Sequence, residues 1–157
     1  MLDSGKTKVH CRKATKNDLP EVLRLYAQPE LDDGKTLPLA EAERVFERMQ
    51  GYPDYSVYIA CVGAEVVGTF ALLIMDNLAY MAAPSGVIED VAVDPERHGE
   101  GIGQAMMRFA LDVCREKGCY KAILSSNVKR TRAHAFYEQL GFERDGYAFR
   151  VDLQPSG

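Results

Sequence analysis

The stretch VDPERHGEGIGQAMM, residues 93–107, constrains this chain more than any other. The apolar run GVIEDVAV leads into Asp94 and Pro95, and a helical pattern starts at Ile102 and continues through Ala105, Met106, Phe109 and Val113. Between them stand Gly99, Gly101 and Gly103. A strand that passes into a helix through so much bare backbone predicts an α/β unit with an open helix mouth. The first turn of a helix leaves four N–H groups without partners and carries about half a positive charge, so a loop without side chains lets an anion rest on those donors. One glycine would be enough for the turn alone. Three favour a bound phosphate group over a purely structural role.

Two phosphate-binding patterns are excluded by spacing. The dinucleotide fingerprint needs a third glycine where this chain has Gln104, and both GKT triplets, at Gly5 and Gly34, lack the earlier glycine of a Walker loop, with Pro29 standing in its place before the second. Formal net charge is -4, with 19 basic residues dispersed among 23 acidic ones, so nucleic acid is not an expected partner. No run approaches the ~20 apolar residues of a membrane span, and residues 1–13 carry no apolar signal core. The expectation is a cytoplasmic protein with no membrane partner. Cys11, Cys61, Cys114 and Cys119 follow no metal-ligand spacing and lie in apolar periodic segments, so reduced thiols and no metal are expected.

At 157 residues the chain reads as a single domain, with residues 1–8 as a flexible start. Residues 9–15 suggest a first strand. Thr15, Asp18 and Pro20 open a helix with Leu19, Val22, Leu23 and Tyr26 on one face, and Leu39, Ala42, Val45, Phe46 and Met49 mark a second. Strands YSVYIACV, VVGTFALLIM and GVIEDVAV follow, then the glycine loop and its helix, the strand CYKAILSS, a helix through Ala133, Phe136, Tyr137 and Leu140, and a closing hairpin around Gly146. This order implies a mixed sheet covered by helices, an α/β or α+β fold.

VAVDPERHGEGIG resembles the acyl-CoA loop of the GNAT superfamily of N-acetyltransferases, a V-x-V-x-P strand end followed by R/Q-x-x-G-x-G/A. Gly101 and Gly103 fill the two small positions. His98 stands where the family has Arg or Gln, and Arg97 lies one residue early. RAHAFYEQLGF resembles the family's A-x-x-F-Y-x-x-x-G-F helix, with Ala133, Phe136, Tyr137, Gly141 and Phe142 in register. The likeness is close over residues 86–153. Asn127 and Arg130 depart from the family, where Asn stands three residues before the alanine. SSNVKRTRAHAFY is most similar to a bacterial branch that includes aminoalkylphosphonate acetyltransferases, and IEDVAV with GCYKAIL resembles glucosamine-phosphate acetyltransferases.

The resemblance implies a mostly antiparallel sheet of about seven strands, splayed in the middle and flanked by about four helices. It implies acetyl-CoA as co-substrate, bound by Val91, Ala92, Val93, His98, Gly99, Gly101, Gly103, Gln104, Asn127 and Arg130. The acceptor is expected to be a small-molecule amine, and a homodimer is an open possibility. Removing a proton from an alkylamine of pKa about 10.4 needs a base. Glu89 and its neighbour Asp90 are the candidates, and strand alternation lets only one reach the reaction centre unless a bulge intervenes. Glu89 is preferred. Tyr137 is the candidate acid for the departing thiolate. Lys129, Arg130 and Arg132 suit the 3'-phosphate of CoA, an anionic acceptor or plain solvent. Glu30, Asp32, Asp33, Asp76 and Tyr80 are candidates for the acceptor wall. Competing readings are an inactive acyl-CoA-binding module, a nucleotide-binding protein, or an enzyme acting on protein amines.

Overall fold

The computed structural model describes residues 7–28, 35–126 and 130–154, in two units that meet at Leu124 and Ser125. The first carries a five-stranded sheet of β1 (His10–Lys13), β2 (Tyr55–Val62), β3 (Glu65–Met75), β4 (Ser85–Val93) and β5 (Lys121–Leu124), in that spatial order. Neighbours from β1 to β4 are antiparallel, whereas β4 and β5 are parallel. A parallel neighbour needs a crossover, and α3 (Ile102–Glu116) supplies it.

Each face of the sheet is covered by helices from a different part of the chain. On one side α1 (Leu19–Tyr26) buries Leu19, Val22 and Leu25, and α2 (Leu39–Met49) adds Phe46 and Met49. Val22 and Leu25 pack in one cluster with Val57, Ile59, Cys61, Val66 and Ala92. Burial of each such aliphatic side chain stabilises by about 1.5–3 kcal/mol. The alternation in α1 selects Leu25 for the core, where sequence periodicity had favoured Leu23. Before α1, Thr15 N–H donates to Asp18 Oδ2 at 2.7 Å and Arg12 forks onto the same carboxylate at 2.8 and 3.0 Å, holding it down to about pKa 2.

The other face receives α3, whose Ile102, Met106, Met107, Ala110 and Cys114 are buried. Gly86 of β4 lies against Cys114 so closely that a Cβ there would collide with its sulfur. Tyr58 stacks on Phe70 at 5.1 Å, with Phe109 edge-on at 5.5 Å.

The second unit contains α4 (Thr131–Gln139). The hairpin expected around Gly146 is absent from the described residues, which make five strands instead of about seven. Alternation marks a segment fit for a strand, but a lone two-stranded hairpin is marginal without a third strand or a helix to pack on.

Candidate functional site

The ladder between β3 and β4 breaks where the sequence places its two carboxylates. Ala71 pairs with Glu89, but Thr69 pairs with Ala92, so Asp90 and Val91 together oppose the single residue Phe70. This is a β-bulge, and Asp90 sits in the left-handed region at φ 53°. Its effect is visible in the faces. Gly86 points at α3, yet Ala92, six residues on, packs in the α1 cluster, so the strand has changed parity in between. Glu89 and Asp90 both emerge exposed. Alternation lets both carboxylates reach one reaction centre only if a bulge intervenes, and a bulge lies at Asp90 and Val91.

Around these carboxylates stands Tyr55 of β2, which sequence reasoning missed. Burial pushes its phenol up, and the charges of Asp90 and then Glu89 push it further. Tyr52 packs against it at 5.4 Å. Nothing local in YSVYIACV marks Tyr55, because the carboxylates that act on it, Asp90 and Glu89, come from β4, more than 30 residues away.

Just before the bulge the pairing of β4 with its second neighbour ends. Pairing with β5 covers Ser85, Gly86, Val87 and Ile88, whereas from Glu89 to Val93 the pairing of β4 among the described residues is with β3. The expected splay therefore opens at Glu89. Val91 and Val93 are half-buried there and Ala92 is buried.

At the end of β4 the chain is pinned before it becomes bare. Asp94 is buried, accepts from Glu96 N–H at 3.0 Å and receives Arg24 Nη1 at 3.1 Å. Glu96 N–H and then Arg24 hold its carboxyl below the usual carboxylate range, against the opposing effect of burial. Gln28 Nε2 donates to Val93 O at 3.0 Å. Neither Arg24 nor Gln28 was legible as a support, since the contacts span 70 and 65 residues.

The glycine loop follows. His98 is extended and exposed, Gly99 has φ 83°, and Gly101 caps α3 at φ 79°, ψ 14° with no side chain bonded to the helix start. These two φ values belong to the region that glycine enters without a Cβ penalty. Gly103 and the exposed Gln104 occupy the first turn of α3. Arg97 is held by Glu65 and by Glu100, the latter at 2.9 Å, so it braces the loop from outside.

In the second unit Arg130 is exposed at the start of α4, and Tyr137 is buried with Phe136 and Phe142 edge-on at 5.4 and 5.9 Å. Burial raises the Tyr137 phenol and Arg130 pulls it back in part. Arg132 is exposed. Asn127 and Lys129 lie outside the described residues, as do Glu30, Asp32 and Asp33. Asp76 is exposed, and Tyr80 stacks on Tyr120 at 4.4 Å beside the start of β5, whereas the glycine loop leaves β4 at its other end. Cys114, pushed up to about 11 by burial, is a thiol at neutral pH and a poor nucleophile.

A bulged strand end and a bare helix mouth thus stand at one end of β4, on a mixed α/β sheet. The chain belongs to the acetyltransferase (GNAT) family, whose model matches residues 19–142. A glucosamine 6-phosphate N-acetyltransferase of Trypanosoma brucei brucei is 40% identical over 88 residues, 56% of this chain and 58% of that protein. The match thus spans less than two thirds of that relative's length. An aminoglycoside N(6')-acetyltransferase type 1 of Stenotrophomonas maltophilia is 30% identical over 139 residues, 85% of this chain and 86% of the relative. A putative acetyltransferase from Agrobacterium tumefaciens superposes with a TM-score of 0.84 at 33% identity, covering 91% of this chain and 99% of that one. Among the described residues no helix is long and apolar enough to cross a membrane.

Proposed function

We propose that the protein transfers an acetyl group from acetyl-CoA to a primary amine of a small molecule, by direct attack within a ternary complex. The exposed Glu89 carries this reading, because it stands beside the bulge at Asp90, where the pairing of β4 with β5 has ended. In this reading the pantetheine arm adds to the freed edge of Val91, Ala92 and Val93 as a further strand would. Its diphosphate rests on the N–H groups around Gly99, Gly101, Gly103 and Gln104, with His98 at the rim. Arg130 and Asn127 are assigned to the phosphates at the far end of CoA.

Glu89, directly or through water, takes a proton from the ammonium, and the free amine attacks the thioester carbonyl. The main-chain N–H of Val91 receives the developing oxyanion. Collapse of the tetrahedral intermediate breaks the C–S bond, forms the amide and releases CoA thiolate, which takes a proton from the Tyr137 phenol. That phenol is raised by burial, so it retains its proton at neutral pH until a thiolate lies beside it. Two relatives are named for amino-sugar acceptors, which favours an amino sugar or its phosphate over other small amines.

A free-thiol assay with acetyl-CoA and a panel of amino sugars, aminoglycosides, aminophosphonates, polyamines and amino acids tests the proposal. Amine-dependent thiol release is expected, and Tyr137→Phe should lower kcat by about 10²–10⁴-fold. Thermal stabilisation by acetyl-CoA without turnover across the panel would instead favour the inactive binding module.

A further inference from the structure

Two side chains from the end of α1 reach the exit of β4, and they hold different groups there. Arg24 stands in the last turn of the helix and Gln28 two residues past its end. Arg24 Nε donates to Glu21 Oε2 at 2.7 Å, Nη1 to Asp94 Oδ2 at 3.1 Å and Nη2 to Val66 O at 2.9 Å. One planar guanidinium thus joins its own helix, β3 and the residue that follows β4. Asp94 is buried, and its other oxygen accepts from Glu96 N–H, at the start of the segment that leads to Gly99.

Gln28 acts on the edge of the strand. Asp94 N–H donates to Val67 O of β3 at 2.9 Å, and across a trans peptide the carbonyl points opposite to the N–H, so Val93 O faces away from β3. From Glu89 to Val93 no strand pairs with that edge among the described residues. Gln28 Nε2 donates to Val93 O there at 3.0 Å. An unpaired row of main-chain groups is a template for an added extended chain, and Gln28 fixes the peptide at its end.

The geometry points to Arg24 and Gln28 as positioning residues for acyl-CoA, each serving a different part of it. Gln28 holds the free edge of Val91, Ala92 and Val93 that takes the pantetheine arm, and Arg24, through Asp94, holds the start of the glycine loop that takes the diphosphate. This rests on the acetyl-CoA reading above. Main chain that is already in place binds a ligand more tightly, because less ordering is left to the moment of binding. Neither side chain makes or breaks a bond. Removing either contact therefore weakens acyl-CoA and leaves the chemical step alone.

Calorimetric titration with two probes separates the roles: acetyl-CoA, and 3'-phosphoadenosine 5'-diphosphate, which is CoA cut off after its diphosphate, read by displacement of acetyl-CoA. Gln28→Leu is expected to weaken acetyl-CoA by about 3–10-fold and to leave the truncated probe unchanged. Arg24→Met should weaken both by about 10-fold, with Arg24→Lys recovering part of the loss. In turnover both variants should raise KM for acetyl-CoA and keep kcat near wild type. The half-buried Gln28 keeps the test open if Arg24→Met lowers the melting temperature. Gln28→Leu that binds acetyl-CoA as wild type does, or that weakens both probes equally, would overturn the inference. So would a folded Arg24→Met with unchanged affinities, a fall in kcat at constant KM, or a truncated probe that displaces no acetyl-CoA from wild type. Wild-type protein that binds no acetyl-CoA would instead overturn the acetyl-CoA reading itself, and this inference with it.

Discussion

The two halves of β4 have different tasks. Residues 85–88 have a strand on each side, with Gly86 pressed against Cys114 and Ile88 buried. Residues 89–93 contain a bulge, a left-handed aspartate and two exposed carboxylates, and among the described residues they have one neighbouring strand. The first half holds the sheet together. In the second half regularity gives way and two carboxylates stand exposed, and bulges of this kind are common beside active sites. Substitutions should therefore separate: stability responds in the first half and turnover in the second.

The largest expected effect lies in the second half. Glu89→Gln should lower kcat by about 10²–10⁴-fold while leaving the melting temperature unchanged, measured by thiol release and differential scanning calorimetry. Loss of stability with unaltered kcat would remove the distinction. In the first half, Ile88→Ala should cost about 2–5 kcal/mol in urea unfolding and leave kcat of the folded protein near wild type.

Smaller effects probe the loop that follows. Gly101→Ala forces a side chain into φ 79°, which should cost about 1–2 kcal/mol and raise KM for acetyl-CoA more than it lowers kcat. The smallest effect concerns Asp94, whose carboxyl is lowered by Glu96 N–H and Arg24. A carboxylate lowered in the folded state stabilises fully above its unfolded value of about 3.9, and that contribution fades as pH falls through the lower folded value. Asp94→Asn should therefore be less stable than wild type at neutral pH, and the difference should begin to shrink as pH falls below about 3.9 and vanish only below the lower folded value, in acid unfolding followed by circular dichroism.

Features encoded by local periodicity were legible in the sequence. The strand before Asp94, the glycine run and the helix from Ile102 could be read because each depends on residues within one turn or one pleat of its neighbours. The family followed from two matched blocks around Gly101 and Tyr137. The bulge could be named only as a condition, because it is a property of register against β3 and not of IEDVAV itself. Tyr55, Arg24 and Gln28 were missed because their partners are distant in sequence. The closing hairpin around Gly146 is absent among the described residues, because alternation in residues 147–153 marks a segment fit for a strand without fixing what it pairs with. Leu23 was favoured over Leu25 since both fit an apolar stripe, and only the position of the sheet decides between them.

Hydrogen exchange with and without acetyl-CoA, resolved to short peptides, tests the contrast within β4 most directly. The account predicts new protection in residues 89–93 and 98–104 when acetyl-CoA is added, with little change in residues 85–88, whose amides are already held by two neighbours. Saturating acetyl-CoA that protects residues 85–88 and leaves 89–93 and 98–104 exchanging as before would contradict it.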